Sequence, residues 1–219
     1  IISFIAIQLR SVQENNVVLD MQKKIVSSAG LEKVYGSVEN AMSNIKTLII
    51  DLDKGEIVNI NPDSYELAKE LREDGKYKFL SAEEDIASIK KREKYSKIYI
   101  EYKDNEINTL ILPVRGYGLW GILYGYLAIE GDFNTVAGLE FYEHKETPGL
   151  GAEIDNPKWK ALWKGKKIYQ ENGEVSLKVI KGSVLETSNN FSYEIDGLSG
   201  ATLTCNGVSN LIAYWMGND

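Results

Sequence analysis

Several groupings of residues in this 219-residue chain have types and spacings that bear on chemistry. Asp196-Gly-Leu-Ser199-Gly200-Ala201-Thr202 places a hydroxyl behind residues too small to bury it. A displayed hydroxyl is open to modification, or it serves as a helix N-cap whose oxygen accepts an amide of the first turn. His144-Lys-Glu146 has the spacing of a zinc ligand and its general acid, a site that also needs a pair of cysteines. Cys205 is alone in the chain, so a solvated or capping His144 is the competing reading. Gly116-Tyr-Gly118-Leu-Trp-Gly121, with Glu140 further on, fits a dinucleotide fingerprint. That fingerprint requires a helix after the glycines, whereas Ile122 to Ile129 reads as a strand. A glycine-rich bend with close backbone packing is the alternative. Lys158-Trp159-Lys160 through Lys164, Lys166 and Lys167 is basic and aromatic, a pattern of buried tryptophans beneath lysines or of a docking surface.

Composition narrows the chemistry further. One cysteine forbids an internal disulfide, and one histidine with one cysteine leaves too few soft ligands for a structural zinc. Any Ser-His-Asp triad would have to use His144. Against 25 Lys plus Arg stand 32 Asp plus Glu, a net charge of −7 that repels a phosphate backbone and argues against nucleic acid as a partner.

The elements that must position these residues are mixed. Val12, Val17, Val18, Met21, Ile25 and Val26 recur at helical steps between Ser11 and Ala29, with Gly30 as a stop. Asn61-Pro62-Asp63 opens a second predicted helix carrying Tyr65, Leu67, Ala68 and Leu71, closed by Asp74-Gly75. From Tyr95 the period becomes two, through Tyr102, a turn at Lys103-Asp104-Asn105, and Ile107 to Val114. Further strands are predicted at Leu123 to Ile129, Val136 to Tyr142, Val175 to Lys181 and Phe191 to Ile195. A short helix begins at Asn156-Pro157 and ends at Gly165; a last one runs from about Leu203 to Met216. Hairpin-length connections argue for a single α+β domain with a largely antiparallel sheet and flanking helices.

Ile1 to Ile7 is an uncharged apolar run ending at Gln8-Leu9-Arg10. Seven helical residues rise about 10 Å, roughly a third of a hydrocarbon core. The run reads either as a short arm packed on the domain or as the distal end of a membrane span.

Asp196-x-x-Ser199-Gly200-Ala201-Thr202 resembles the flavinylation motif of the FMN-binding domain family, in which the last threonine forms a phosphodiester with FMN. The likeness runs from Gln13 onward. It includes Asp20-Met-Gln-Lys with Ala29-Gly-Leu31, Pro113-Val-Arg-Gly116 with Gly118-Leu119, Asn134-Thr-Val136, Tyr142-Glu-His144-Lys-Glu146-Thr-Pro-Gly149-Leu150-Gly151-Ala-Glu153, Asp155-Asn-Pro-Lys-Trp159 and Ser199-Gly-Ala-Thr-Leu-Thr204. Within the family it is similar to electron-carrying subunits of membrane sodium-pumping NADH:quinone oxidoreductases. The FMN subunit of a ferredoxin:NAD+ oxidoreductase, or a cofactor-free anchored interaction domain, is the alternative.

The resemblance implies a covalent FMN on Thr202, installed by a separate flavin transferase. Asp196, Ser199, Gly200, Ala201, Leu203 and Thr204 would shape the attachment end. Glu146, Thr147, Gly149, Leu150 and Gly151 would face the isoalloxazine, with Gly118 and Trp120 in the same cavity. It also implies residues 1–9 as the C-terminal remnant of a single transmembrane helix, residues 10–219 as an FMN domain outside the cytoplasm at the bacterial inner membrane, and other subunits of the complex as partners. Cys205 beside the motif departs from the family pattern, and a buried cysteine behaves there as a small apolar residue.

Overall fold

The computed structural model of the chain describes residues 16–217. A first helix, α1, covers residues 16–28, and the left-handed Gly30 (φ 66°) follows it. Two short helices come next, α2 (Glu32–Tyr35) and α3 (Val38–Ser43). The Ser37 side chain caps α3 by accepting the Asn40 amide.

Six strands then form one antiparallel sheet: β1 (Ile45–Asp51), β2 (Glu56–Val58), β5 (Tyr95–Lys103), β6 (Glu106–Tyr117), β7 (Ile122–Glu130) and β8 (Val136–Glu143), in the order β2-β1-β5-β6-β7-β8. The insertion between β2 and β5 carries helix α4 (Leu67–Glu70) and the small hairpin β3 (Tyr77–Phe79) with β4 (Lys91–Glu93). The predicted turn between β5 and β6 forms with Asp104 (φ 53°) and Asn105 (φ 66°) both left-handed, the twist that joins tightly paired strands.

Period two divides the sheet into two packed faces. Leu123, Leu127 and Ile129 of β7, with Val114, Leu139 and Phe141, lie in one core with Trp159, Trp163, Val208, Leu211 and Ile212. These belong to or adjoin helices α5 (Pro157–Ala161) and α6 (Thr202–Met216). Tyr126 and Ala128, with Tyr99 and Ile111, face the other way onto Ile25 and Val26 of α1 and the residues of α2 and α3. Helix α6 crosses β6 closely: a Cβ on Gly207 would meet the Tyr117 carbonyl at 2.3 Å.

Helix α1 is tied to the sheet by charge as well as by burial. Glu140 of β8 accepts Lys24 Nζ at 2.7 Å, Ser27 Oγ at 3.3 Å and Lys160 Nζ at 2.7 and 2.8 Å. Burial pushes the Glu140 carboxyl up, but bonds from Lys160 and Lys24 outweigh it and leave the carboxyl below its ordinary range.

Three sequence expectations change. The helix predicted over Asn61 to Asp74 is two pieces, a 3-10 turn at Pro62–Ser64 and α4, because Tyr65 is extended (φ −82°, ψ 129°) and its hydroxyl is drawn to the Tyr95 carbonyl at 2.9 Å. Val175 to Lys181 contributes only β9 (Lys178–Val179), since the Ser176 and Leu177 amides both turn to the Ile168 carbonyl. Phe191 to Ile195 is a 3-10 turn followed by β10 (Glu194–Ile195), which pairs with β9 in parallel, apart from the main sheet. The strands β1 to β4 have no counterpart in the sequence reading. Ile1 to Leu9 lies outside the described residues, and no helix among those described is long and apolar enough to cross a membrane.

Candidate functional site

Thr202 is exposed and is the first residue of α6. The N-cap position is held by Ala201, which supplies no side-chain acceptor, and the first turn contains no acidic residue. The Ala201 amide bonds Leu198 O and the Cys205 amide bonds Ala201 O. Among the described residues the amides of Thr202, Leu203 and Thr204 find no backbone acceptor and the Thr202 hydroxyl makes no hydrogen bond. The capping reading of Thr202 therefore does not hold, and the start of a 15-residue helix is left able to receive an anion.

A cavity of about 390 Å³ opens beside that hydroxyl. Ser199, Gly200, Thr202, Cys205 and Asn206 form one wall, and Val179 to Ser183 the other. Sequence reasoning missed the 179–183 strip, whose only signal is a turn-like Lys181-Gly182-Ser183. Asp196 shapes this cavity from outside: its carboxylate accepts the Val184 amide at 2.7 Å, and its carbonyl accepts Trp159 Nε1 at 2.8 Å. Cys205 is buried and its sulfur accepts the Leu198 amide. Burial pushes its thiol up despite that bond.

The second half of the site is assembled by Glu146. This residue is 5% exposed; Oε1 accepts the Leu119 and Trp120 amides at 3.0 Å each, and Oε2 accepts the buried Thr204 hydroxyl. Three separate sequence motifs meet at one carboxylate. The fit is tight, since a Cβ on Gly118 would come within 2.6 Å of Oε1 and one on Gly151 within 2.6 Å of Oε2. The 116–121 glycines thus form a bend between antiparallel strands, with Gly118 N bonded to Gly121 O, and no helix follows them.

His144 holds the same loop. Its Nδ1 accepts the Glu146 amide at 3.2 Å, which leaves Nε2 to donate to Asp155 at 2.8 Å. Among the described residues no cluster of His, Cys, Asp or Glu has the makings of a metal site.

Above Glu146 the loop turns outward. Thr147 is exposed and its carbonyl accepts the Leu150 and Ala152 amides at 3.1 Å. Gly149 and Gly200 both have positive φ (73° and 74°), and a Cβ on Gly200 would sit 2.9 Å from Leu150. The 146–151 loop and the Ser199-to-Thr202 loop are therefore in contact. Leu150, Trp120 and Leu203 are large apolar side chains that remain 44%, 61% and 58% exposed; Leu150 lies against Gly200 and Leu203 follows Thr202 in α6. Of the residues singled out from sequence, Asp196, Ala201, Glu146, Gly151 and Thr204 build the site from beneath, while Ser199, Gly200, Thr202, Leu203, Thr147, Leu150 and Trp120 face outward.

An uncapped helix start with a free hydroxyl, an adjacent cavity and exposed apolar side chains defines a domain suited to hold a phosphorylated ring at its surface. In agreement, the FMN-binding domain family matches residues 118–217, a span that contains both loops. The NqrC subunit of the Na+-translocating NADH-quinone reductase of Pseudomonas aeruginosa is 47% identical over 98% of this chain and 84% of its own length. The corresponding Vibrio vulnificus protein is 39% identical over 100% of this chain and 85% of its own. The crystal structure of Shewanella oneidensis NqrC superposes with a TM-score of 0.79 at 30% identity, covering 90% of each chain. That of its Parabacteroides distasonis counterpart superposes with a TM-score of 0.66 at 27% identity, over 96% of this chain and 98% of its own. The chain belongs to the NqrC family of Na+-translocating NADH-quinone reductase subunits.

Proposed function

We propose that this chain is the FMN-bearing, electron-carrying subunit of a membrane Na+-translocating NADH-quinone reductase, with FMN joined to Thr202 by a phosphodiester. The observation that carries the reading is the Thr202 hydroxyl, exposed and without a hydrogen bond among the described residues, at the uncapped start of α6 within an FMN-binding domain.

In the attachment step, Thr202 Oγ forms a bond to the flavin phosphorus and loses its proton. The phosphoanhydride bond of an activated flavin nucleotide breaks, and the departing nucleotide takes the electron pair. A flavin transferase supplies that donor and the base. The resulting diester keeps one negative charge, which the free amides of Leu203 and Thr204 favour at the helix start. Gly200 lets the chain of the cofactor approach the backbone, and Leu150 and Trp120 supply apolar surface for a ring. Once bound, FMN supplies the redox chemistry. Gly200, Leu150 and Trp120 would hold the group beside Thr202.

On this reading the protein turns over no small substrate by itself, and NADH oxidation and quinone reduction belong to other subunits. Residues 1–9 end a single membrane-spanning helix, and residues 10–219 stand on the extracytoplasmic side. A covalent tether there replaces a cytosolic FMN pool that cannot refill the site. Peptide mapping of the protein from its native complex tests the proposal. The peptide containing Thr202 is expected to gain the mass of FMN less one water, and Thr202→Ala to carry no flavin after dialysis. A bare Thr202 in native protein would contradict the reading.

A further inference from the structure

We infer that Glu146 is the positioning residue of the flavin acceptor site, setting by geometry rather than by charge how Thr202 is presented. The inference rests on the proposed function and deepens it. The family likeness suggests a wall that touches the ring; the structure instead turns the Glu146 carboxylate inward, with both oxygens engaged.

No Lys, Arg or His pairs with it among the described residues, so this buried carboxylate is held by neutral donors alone. Those donors come from the segments that must agree in position. The Leu119 and Trp120 amides fix the turn that displays Trp120, and the Thr204 hydroxyl fixes the first turn of α6 two residues beyond Thr202. The loop bearing Leu150 starts at Glu146 itself, and its other end, Gly151, has no room for a Cβ because of the same carboxylate and the same hydroxyl. Removal of the side chain takes away at once the hydrogen bonds that tie these three segments together. Thr202 is exposed and its hydroxyl makes no hydrogen bond among the described residues, so its place is set by the backbone of α6 alone.

A glutamine can reproduce the arrangement. Its carbonyl oxygen accepts both amides, and its NH2 donates to Thr204 Oγ1, the hydroxyl reversing its role. Geometry and charge are therefore separable by substitution.

The test uses the full-length protein in its membrane complex, supplied with the flavin transferase and a flavin dinucleotide. The initial rate of flavinylation, its kcat and KM for the protein acceptor, the visible circular dichroism of the attached flavin and the melting temperature are measured for each variant. Glu146→Ala is expected to lower kcat at least tenfold with little change in KM and to flatten the flavin dichroism. Glu146→Gln should stay within about threefold of the wild type on every measure. Thr204→Val, isosteric and cut off from only one oxygen, should fall between them, and it carries the test if Glu146→Ala does not fold.

Wild-type rate and dichroism in a folded Glu146→Ala, or in Thr204→Val if only that variant folds, would overturn the inference. So would a loss in Glu146→Gln as deep as that in Glu146→Ala, which would mean that charge is what the site requires. Failure of the wild type to be modified at all would count against the proposed function instead.

Discussion

At the scale of single residues, the site depends on small side chains with no room to grow. Gly118 faces both Glu146 Oε1 and Leu123, the latter at 2.9 Å from a Cβ built on it. Gly118→Ala is therefore expected to cost about 1–3 kcal/mol of stability in urea unfolding, the usual penalty for overpacking. Thr204→Val removes a bond to a buried carboxylate and should cost about 1.5–3 kcal/mol in the same experiment. Cys205 lies next to the motif, yet it is buried with its thiol pushed up by burial. Iodoacetamide should label it far more slowly in native protein than in urea, when followed by mass spectrometry at pH 8; equal rates would show that the helix start opens readily.

At the scale of elements, the fastening of α1 and α5 to β8 is partly electrostatic, and that part responds to pH. The Glu140 carboxyl is lowered in the folded protein, so its ion pairs stabilise the fold fully above the unfolded value near 4.5 and lose that contribution as pH falls through the lower folded value. Glu140→Gln should be less stable than wild type at pH 7 by roughly 1.5–3 kcal/mol. Between pH 5 and 3 it should lose less stability than wild type does, so that the two urea midpoints converge. A constant gap over that range would assign the effect to packing.

The elements also show how much was legible beforehand. Strands β5 to β8 and helices α5 and α6 declare themselves by period, by Asp104-Asn105 at the hairpin, and by Asn156-Pro157 at a helix start, because each is fixed by local preference and one-sided burial. The β9–β10 ladder does so only in part: both strands fall inside predicted ones, but their shortness and parallel pairing are set by the Ile168 carbonyl and by Gly197 bonding Gly182, contacts between distant segments. The site behaves alike. Thr202 and the 146–151 loop stand out as motifs, whereas the inward turn of Glu146 and the 179–183 wall depend on tertiary placement that no spacing encodes.

At the scale of the whole molecule, the sheet separates two cores, and the functional residues sit on the side covered by α6. Leu211 lies fully buried where α6 meets β6, within 2.8 Å of a Cβ built on Gly116. Leu211→Ala should lower unfolding free energy by about 2–5 kcal/mol, whereas Leu185→Ala, at a position 70% exposed, should fall within about 0.5 kcal/mol of wild type. Comparable losses from both would contradict the placement of the core.

The last turns of α1 leave no joint between that helix and the sheet. Ile25 and Val26 are buried, Lys24 and Ser27 are bonded to Glu140, and the Ser28 carbonyl lies so close to Gly138 that a Cβ there would approach it to 2.3 Å. The end of α1 is thus fixed to the strand that runs directly into the 146–151 loop, so helix and loop share one support.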